Sequence, residues 1–202
     1  MSRVCAHWSL VTRPNAEPLE LEDLKRHVRV THSGDDEDLR SKMIAAREWV
    51  EAYARRALLT QTLRLTLSGW SSEMWLPMAA PLQSVTSVQY YDGDDVLQTL
   101  SSSLYRVLGH TWPASIAPRP TTTLPSLSDR PDAVLVTYVA GWSSAAHVPR
   151  MFIEAIKLLA GHWYLNRESV TVGVVSAEME MGVKNLVSLG GRIQHELVYE
   201  AA

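Results

Sequence analysis

Residues 35–57 constrain what this chain can fold into more than any other stretch. Their apolar positions are Leu39, Met43, Ala46, Val50, Tyr53 and Ala57, spaced alternately four and three apart. That spacing keeps one seam of a long helix facing a partner surface. The remaining faces are charged in helical register, with Asp36 four residues before Arg40, Asp38 before Lys42 and Glu51 before Arg55. Each pair has the favourable acid-first order. Asp35, Asp36, Glu37 and Asp38 crowd the start while Arg55 and Arg56 crowd the end, in accord with the helix dipole. Ile44 and Trp49 fall beside the seam, so the helix carries more apolar surface than one neighbour covers. It reads as a scaffold helix that packs on its own domain and offers the rest to another subunit.

Composition narrows the class. The 202 residues suit one large domain or two small ones. With 46% apolar and 20% charged residues the chain is of ordinary globular make-up. A net charge of −3 gives no basis for tight binding to nucleic acid or an anionic membrane through bulk electrostatics. Cys5 is the single cysteine, which excludes an intramolecular disulfide and suits a reducing cytoplasm. No apolar run approaches the roughly 18 residues of a membrane helix, and the first residues lack a signal-peptide core.

In chain order, residues 1–17 read as an irregular arm. A short amphipathic helix follows from Glu20 to Val30, with Leu21, Leu24 and Val28 on one face. After the scaffold helix the period changes to two. Leu63, Leu65 and Leu67 alternate with Thr62, Arg64 and Thr66 in a half-buried strand over Gln61–Ser68. Ser84–Tyr91 has strong strand propensity, and Asp92-Gly93-Asp94-Asp95 is a hairpin turn into Val96–Leu100. Leu104–Leu108 is another strand. The proline-rich stretch from Trp112 to Asp132 predicts a long surface loop with at most one short edge strand. Ala133–Val139 is a nearly continuous apolar strand ended by Gly141.

Helical period returns at Pro149, a good first-turn proline. Phe152, Ile156, Leu159 and Trp163 lie on one face of a helix reaching about Glu168. Val183–Leu189 is a short helix closed by Gly190-Gly191, and Arg192–Ala202 is a tail. The expected fold class is α+β, a helical bundle core with an inserted small antiparallel β-domain. Residues 1–60 supply the N-terminal arm and core helices, 61–141 the insert, and 142–202 the C-terminal core helices and tail.

No catalytic constellation emerges. Phosphate-binding glycine loops, the paired-histidine zinc helix and two-cysteine metal sites are all missing from the sequence, so no metal or other cofactor is expected. His162, inside a helix beside Trp163, reads as a packed core histidine. Asp92, Asp94 and Asp95 resemble the start of a calcium loop, but Leu97 occupies the glycine position and no glutamate stands at the twelfth. Gly141-Trp142-Ser143-Ser144-Ala145 is similar to a hydrolase nucleophile elbow without its second glycine. A small serine hydrolase acting through Ser143 is therefore an alternative that rests on one residue. The seven tryptophans are more in keeping with core and interface anchoring than with a ligand pocket.

Several stretches, in order, resemble a known family. They are Glu17-Pro18-Leu19, His27-Val28-Arg29-Val30, the dense Ile44-Ala45-Ala46-Arg47-Glu48-Trp49-Val50-Glu51, Arg56-Ala57-Leu58, Val85-Thr86-Ser87-Val88, Val148-Pro149 and His162-Trp163-Tyr164 with Asn166-Arg167-Glu168. The family is that of the head–tail connector, or adaptor, proteins of long-tailed double-stranded DNA phages and gene transfer agents. The resemblance implies a virion neck protein without enzymatic activity, assembled in the host bacterial cytoplasm. It further implies a homo-oligomeric ring of about twelve copies beneath the portal protein. Such a ring extends the DNA channel, supports a stopper or tail-completion protein, and lets genomic DNA pass without sequence-specific binding. Another neck or tail-completion part is the neighbouring alternative.

In related adaptors the C-terminal segment reaches the portal, which makes Arg192, Ile193, Leu197, Val198 and Tyr199 the candidate portal contacts. Trp49, Tyr53, Trp163, Met179 and Met181 are the candidate contacts between subunits. The chain departs from the family pattern twice. Arg55 stands where members often carry a turn glycine, and Gly190-Gly191-Arg192 with a longer tail replaces a closing tyrosine–arginine pair.

Overall fold

The computed structural model describes residues 4–111, 113–166 and 182–190. The chain forms an α+β fold divided into two units, residues 1–15 with 60–141 and residues 16–59 with 142–202.

In the first unit the period-two sequences become two antiparallel sheets. The larger contains β1 (Ala6–Thr12), β2 (Gln61–Leu67), β8 (Val134–Ala140), β4 (Leu82–Tyr91) and β5 (Leu97–Thr99), in that spatial order. The smaller has β7 (Ser115–Pro118) between β3 (Met74–Trp75) and β6 (Tyr105–Leu108). Leu63, Leu65 and Leu67 of β2 point into the core while Thr62, Arg64 and Thr66 alternate outward. Strand β8 lies between β2 and β4 and is mostly buried, the reason its sequence is an apolar run and not an alternation. Its Tyr138 is fully buried, and the hydroxyl donates to the Pro77 carbonyl at 2.5 Å. Burial pushes that hydroxyl's pKa up, so it remains a neutral donor.

Two expectations are corrected in this unit. Residues 6–12 are a strand and not part of an irregular arm, because they pair antiparallel with β2 from Ala6↔Leu67 to Thr12↔Thr62. A partner fifty or more positions away in sequence leaves no local mark on the arm. The strand within 112–132 is β7, which is central and largely buried. Prolines suggest an edge, but Pro118 terminates β7, where a lost donor costs little.

The second unit is helical. It comprises α1 (Leu21–Val28), α2 (Asp36–Ala54), α3 (Arg150–Leu165) and α4 (residues 182–190). Leu39, Met43, Ala46 and Val50 form the buried seam of α2 and meet Phe152, Ile156 and Leu159 of α3 in one core. Val183 and Val187 of α4 join the same core. Burying each such leucine or phenylalanine contributes about 1.5–3 kcal/mol. Gly161 sits where α1 crosses α3, and a Cβ there would be 3.2 Å from Val28 Cγ1 and 3.3 Å from His27 Cδ2.

Helix α2 ends at Ala54, three residues before the expected Ala57. Arg55 closes it in the left-handed region with φ 52°, which explains why a glycine suits that position. Tyr53, placed on the seam by spacing, is exposed, while Ala57 is buried in the turn that follows. Pro149, expected in the first turn of α3, is its N-cap residue.

Candidate functional site

The second half of α2 carries the sequence-derived interface candidates on a firmly held frame. Arg47 and Glu51 are one helical turn apart and both buried. Arg47 Nη1 donates to Glu51 Oε2 at 2.7 Å and Nε donates to Glu17 Oε2 at 2.8 Å. The other Glu51 oxygen accepts the Leu58 N–H at 2.8 Å. Burial alone lowers the pKa of Arg47, but Glu51 and Glu17 more than offset it, so the guanidinium stays charged. This network ties the entry segment at Glu17, the helix and its exit turn into one piece. The expected Glu51–Arg55 and Asp36–Arg40 pairs give way to it and to a second tertiary pair. Arg55 is the left-handed C-cap of α2, and Asp36 reaches Lys25 of α1 at 2.8 Å. The expected Asp38–Lys42 pair is present.

On this frame Trp49 and Tyr53, four residues apart, stack with ring centroids at 5.2 Å and planes within 3°. Trp49 is half-buried with one side packed on the helical core. Tyr53 is 43% exposed. The pair is therefore an aromatic plate anchored beneath and open above. Trp163 is half-buried and packs on the core, so most of its surface serves the unit itself. Leu165 and Leu189 are exposed at the ends of α3 and α4. Met179, Met181, Arg192, Ile193, Leu197, Val198 and Tyr199 lie outside the described residues.

Sequence reasoning missed the exposed apolar residues of the β unit. Trp8 is 42% and Leu10 39% exposed on β1, with Val11 at the register shift beside them. Val96 and Leu97 are exposed at β5, and Trp75 and Val107 on the smaller sheet. The alternation His7, Trp8, Ser9, Leu10 was the available signal for β1, since a strand over it puts both large apolar side chains on one face.

Ser143, the residue behind the hydrolase alternative, is exposed beside Ser144 and His147. Their hydroxyls lie 3.4 Å and 3.0 Å from His147 Nδ1. Among the described residues no carboxylate hydrogen-bonds His147, and α3 begins only at Arg150. The cluster has the form of a polar turn before a helix. Among the described residues no three His, Cys, Asp or Glu gather to hold a metal ion, and no helix is long and apolar enough to cross a membrane.

No family model and no curated protein matches the chain. Solved structures do. A chain of the neck of an empty gene transfer agent particle, computed with C6 symmetry, shares the fold with a TM-score of 0.74 and 22% identity, over 91% of this chain and 94% of that one. A chain of the neck of the native particle, computed with C12 symmetry, gives 0.72 and 21% over the same shares. A chain from the virion of a native gene transfer agent gives 0.71 and 23%, over 90% and 93%. These likenesses show that the fold is that of chains found in such particles.

Proposed function

We propose that this chain is a structural subunit of a virion neck, an adaptor that forms a ring under the portal protein. The ring extends the DNA channel and supports attachment of a stopper or tail-completion protein. The observation that carries this reading is the shared fold over nine-tenths of both chains with neck chains of gene transfer agent particles. Those necks are computed with sixfold and twelvefold symmetry, which favours a closed ring of identical copies, twelve in number. A head-to-tail contact closes into such a ring when its rotation divides a full turn.

In this reading Trp49, Tyr53 and Trp163, with Met179 and Met181, contribute to contacts between neighbouring copies. Arg192, Ile193, Leu197, Val198 and Tyr199 dock on the portal. The net charge of −3 suits a channel wall past which DNA slides, because phosphate affinity needs clustered Lys and Arg. The protein would be assembled in the bacterial cytoplasm, work in the neck of the particle, and catalyse nothing. Imaging the purified chain mixed with its portal protein tests this. A twelvefold ring seated on the portal is expected, and monomers alone at saturating portal would overturn the reading. Deleting residues 192–202 should weaken portal attachment at least tenfold while leaving the thermal midpoint unchanged.

A further inference from the structure

Among the described residues, the five-stranded sheet ends in two unlike open edges. At one end, Trp8 is cross-strand to Leu65, which is cross-strand to Val136, which faces Val88. Leu65, Val136 and Val88 are all buried, yet Trp8 at the end of this row is 42% exposed. The next row repeats the pattern. Leu63 and Tyr138 are buried, and Leu10 beside them is 39% exposed. The apolar face of the sheet thus extends one strand beyond what the unit covers. Edge strands of independent proteins are blunted by lysine, proline or an inward charge, and Ala6–Thr12 contains none of these. At the other end, β5 is three residues long and fully exposed, with Val96 and Leu97 uncovered.

The two edges also differ in charge. No acidic residue precedes Glu17, and the exposed Arg13 follows β1. Residues 92–100 hold Asp92, Asp94 and Asp95; Asp95 pairs with Arg130, which leaves Asp92 and Asp94 as the negative charge of this edge. Asp94 is exposed at the tip of that turn.

We infer that β1 and β5 are the two halves of a head-to-tail contact through which copies of this chain join, the sheet of one copy continuing into the next. The inference rests on the ring reading and deepens it by naming a contact surface. Neighbouring strands in the sheet are all antiparallel, so β1 and β5 run in the same direction. The rotation that adds the next copy then sets them side by side and parallel, with their covered faces continuous. Main-chain hydrogen bonds across the open edges give affinity. Trp8 and Leu10 give direction, since they find cover only when a second sheet edge arrives on their side. Because the two patches are different, the contact cannot saturate in a dimer, and it closes into a ring when its rotation divides a full turn.

Cross-linking separates the possibilities. In a Cys5→Ser background of the full chain, Ser9→Cys on the exposed β1 strand and Gln98→Cys together are treated with a short bismaleimide after mixing with portal protein, so that Trp8 and Leu10 stay in place. A ladder of covalent multimers is expected, and each single cysteine should give no product. A dimer from Ser9→Cys alone would mean that like edges meet, and would overturn the inference. A product joining Ser9→Cys to the portal alone would overturn it equally. Trp8→Glu with Leu10→Glu should lower the assembled fraction at least tenfold, while the thermal midpoint of the single chain falls by only a few degrees. If the unmodified chain assembles but the double-cysteine chain gives only the single-chain band, the edge contact is wrong and the ring stands. If the unmodified chain does not assemble with portal at all, the ring reading itself fails.

Discussion

The helical unit and the β unit solve the burial problem in opposite ways. In the helical unit four helices turn their apolar seams to one core, and the polar groups that cannot avoid the interior are paired there. Arg47 binds Glu17 and Glu51, Glu51 takes the Leu58 N–H, and the buried Lys25 meets Asp36. The β unit carries Arg64 on β2 and Arg106 on β6, and its paired charges lie on turns, where Arg130 pairs with Asp95 and Asp132 and lies over the Tyr91 ring. It buries the middle of its main sheet and leaves the apolar row at β1 uncovered. A unit whose interior is closed and electrostatically matched is a scaffold. One whose covered face runs off its own edge is built to be completed.

The largest effect that distinguishes the two is expected at Arg47. Removing it by Arg47→Ala leaves Glu51 buried without its cation and Glu17 without its partner. The loss should be about 3–5 kcal/mol of unfolding free energy, measured by denaturant titration. Arg130→Ala removes two surface pairs and the contact over Tyr91, and should produce a much smaller shift in the denaturation midpoint. Equal losses would erase the contrast between the units.

Within the β unit, Leu65→Ala should cost about 2–5 kcal/mol because its site is closed on all sides. Trp8→Ser, one strand away in the same row, should cost under about 1 kcal/mol in the isolated chain, since much of the ring is already wet. A Trp8→Ser loss as large as that of Leu65→Ala would show that β1 is covered within its own unit.

Long elements with a regular period were legible because their signal is local. The buried Leu39, Met43, Ala46 and Val50 of α2, the alternation of β2 and the apolar run of β8 all fall where spacing puts them. Features set by partners distant in sequence were not. β1 exists because β2 accepts it, β7 is central because β3 and β6 flank it, and Arg47 is buried because Glu17 arrives from outside the helix. Helical spacing gives Tyr53 the same status as Val50, yet Tyr53, one residue from the end of α2, is exposed and stacks on Trp49. Of the exposed apolar surfaces, Tyr53 was assigned to the seam, and Trp49 was visible as surplus apolar surface on α2. The β1 edge was not, because exposure of a strand is a property of the sheet and not of its residues.

A smaller effect, of opposite sign, is expected at that exit. Arg55 holds φ 52° and Arg29 φ 60°, a region that costs a residue with a Cβ roughly 1 kcal/mol relative to glycine. Arg55→Gly should therefore raise the stability of the helical unit by about 1 kcal/mol, read as a higher thermal midpoint. A loss on substitution would mean that the Arg55 side chain, and not its backbone, matters to the turn.

The smallest effect concerns the turn at the β5 edge. Asp92 accepts the Val96 N–H at 3.0 Å, the Gln98 side-chain amide at 2.9 Å and the Asp94 N–H at 3.1 Å. Led by the bond from Val96, these hold its carboxylate below its ordinary value of 3.8. A carboxyl whose folded pKa is depressed contributes stability that is present above the unfolded pKa and lost as pH falls through the folded one. The turn should thus be intact at pH 5 and loosen only below about pH 3.8, following the lowered titration of this one group. Carboxyl chemical shifts followed by NMR read the pKa directly, and amide exchange at Val96 reads the turn. Asp92→Asn keeps an acceptor for Val96 but removes the charge, so exchange at Val96 should rise slightly at neutral pH and no longer change between pH 5 and 3. Acid loosening in that variant as steep as in the parent chain would place the titrating group elsewhere.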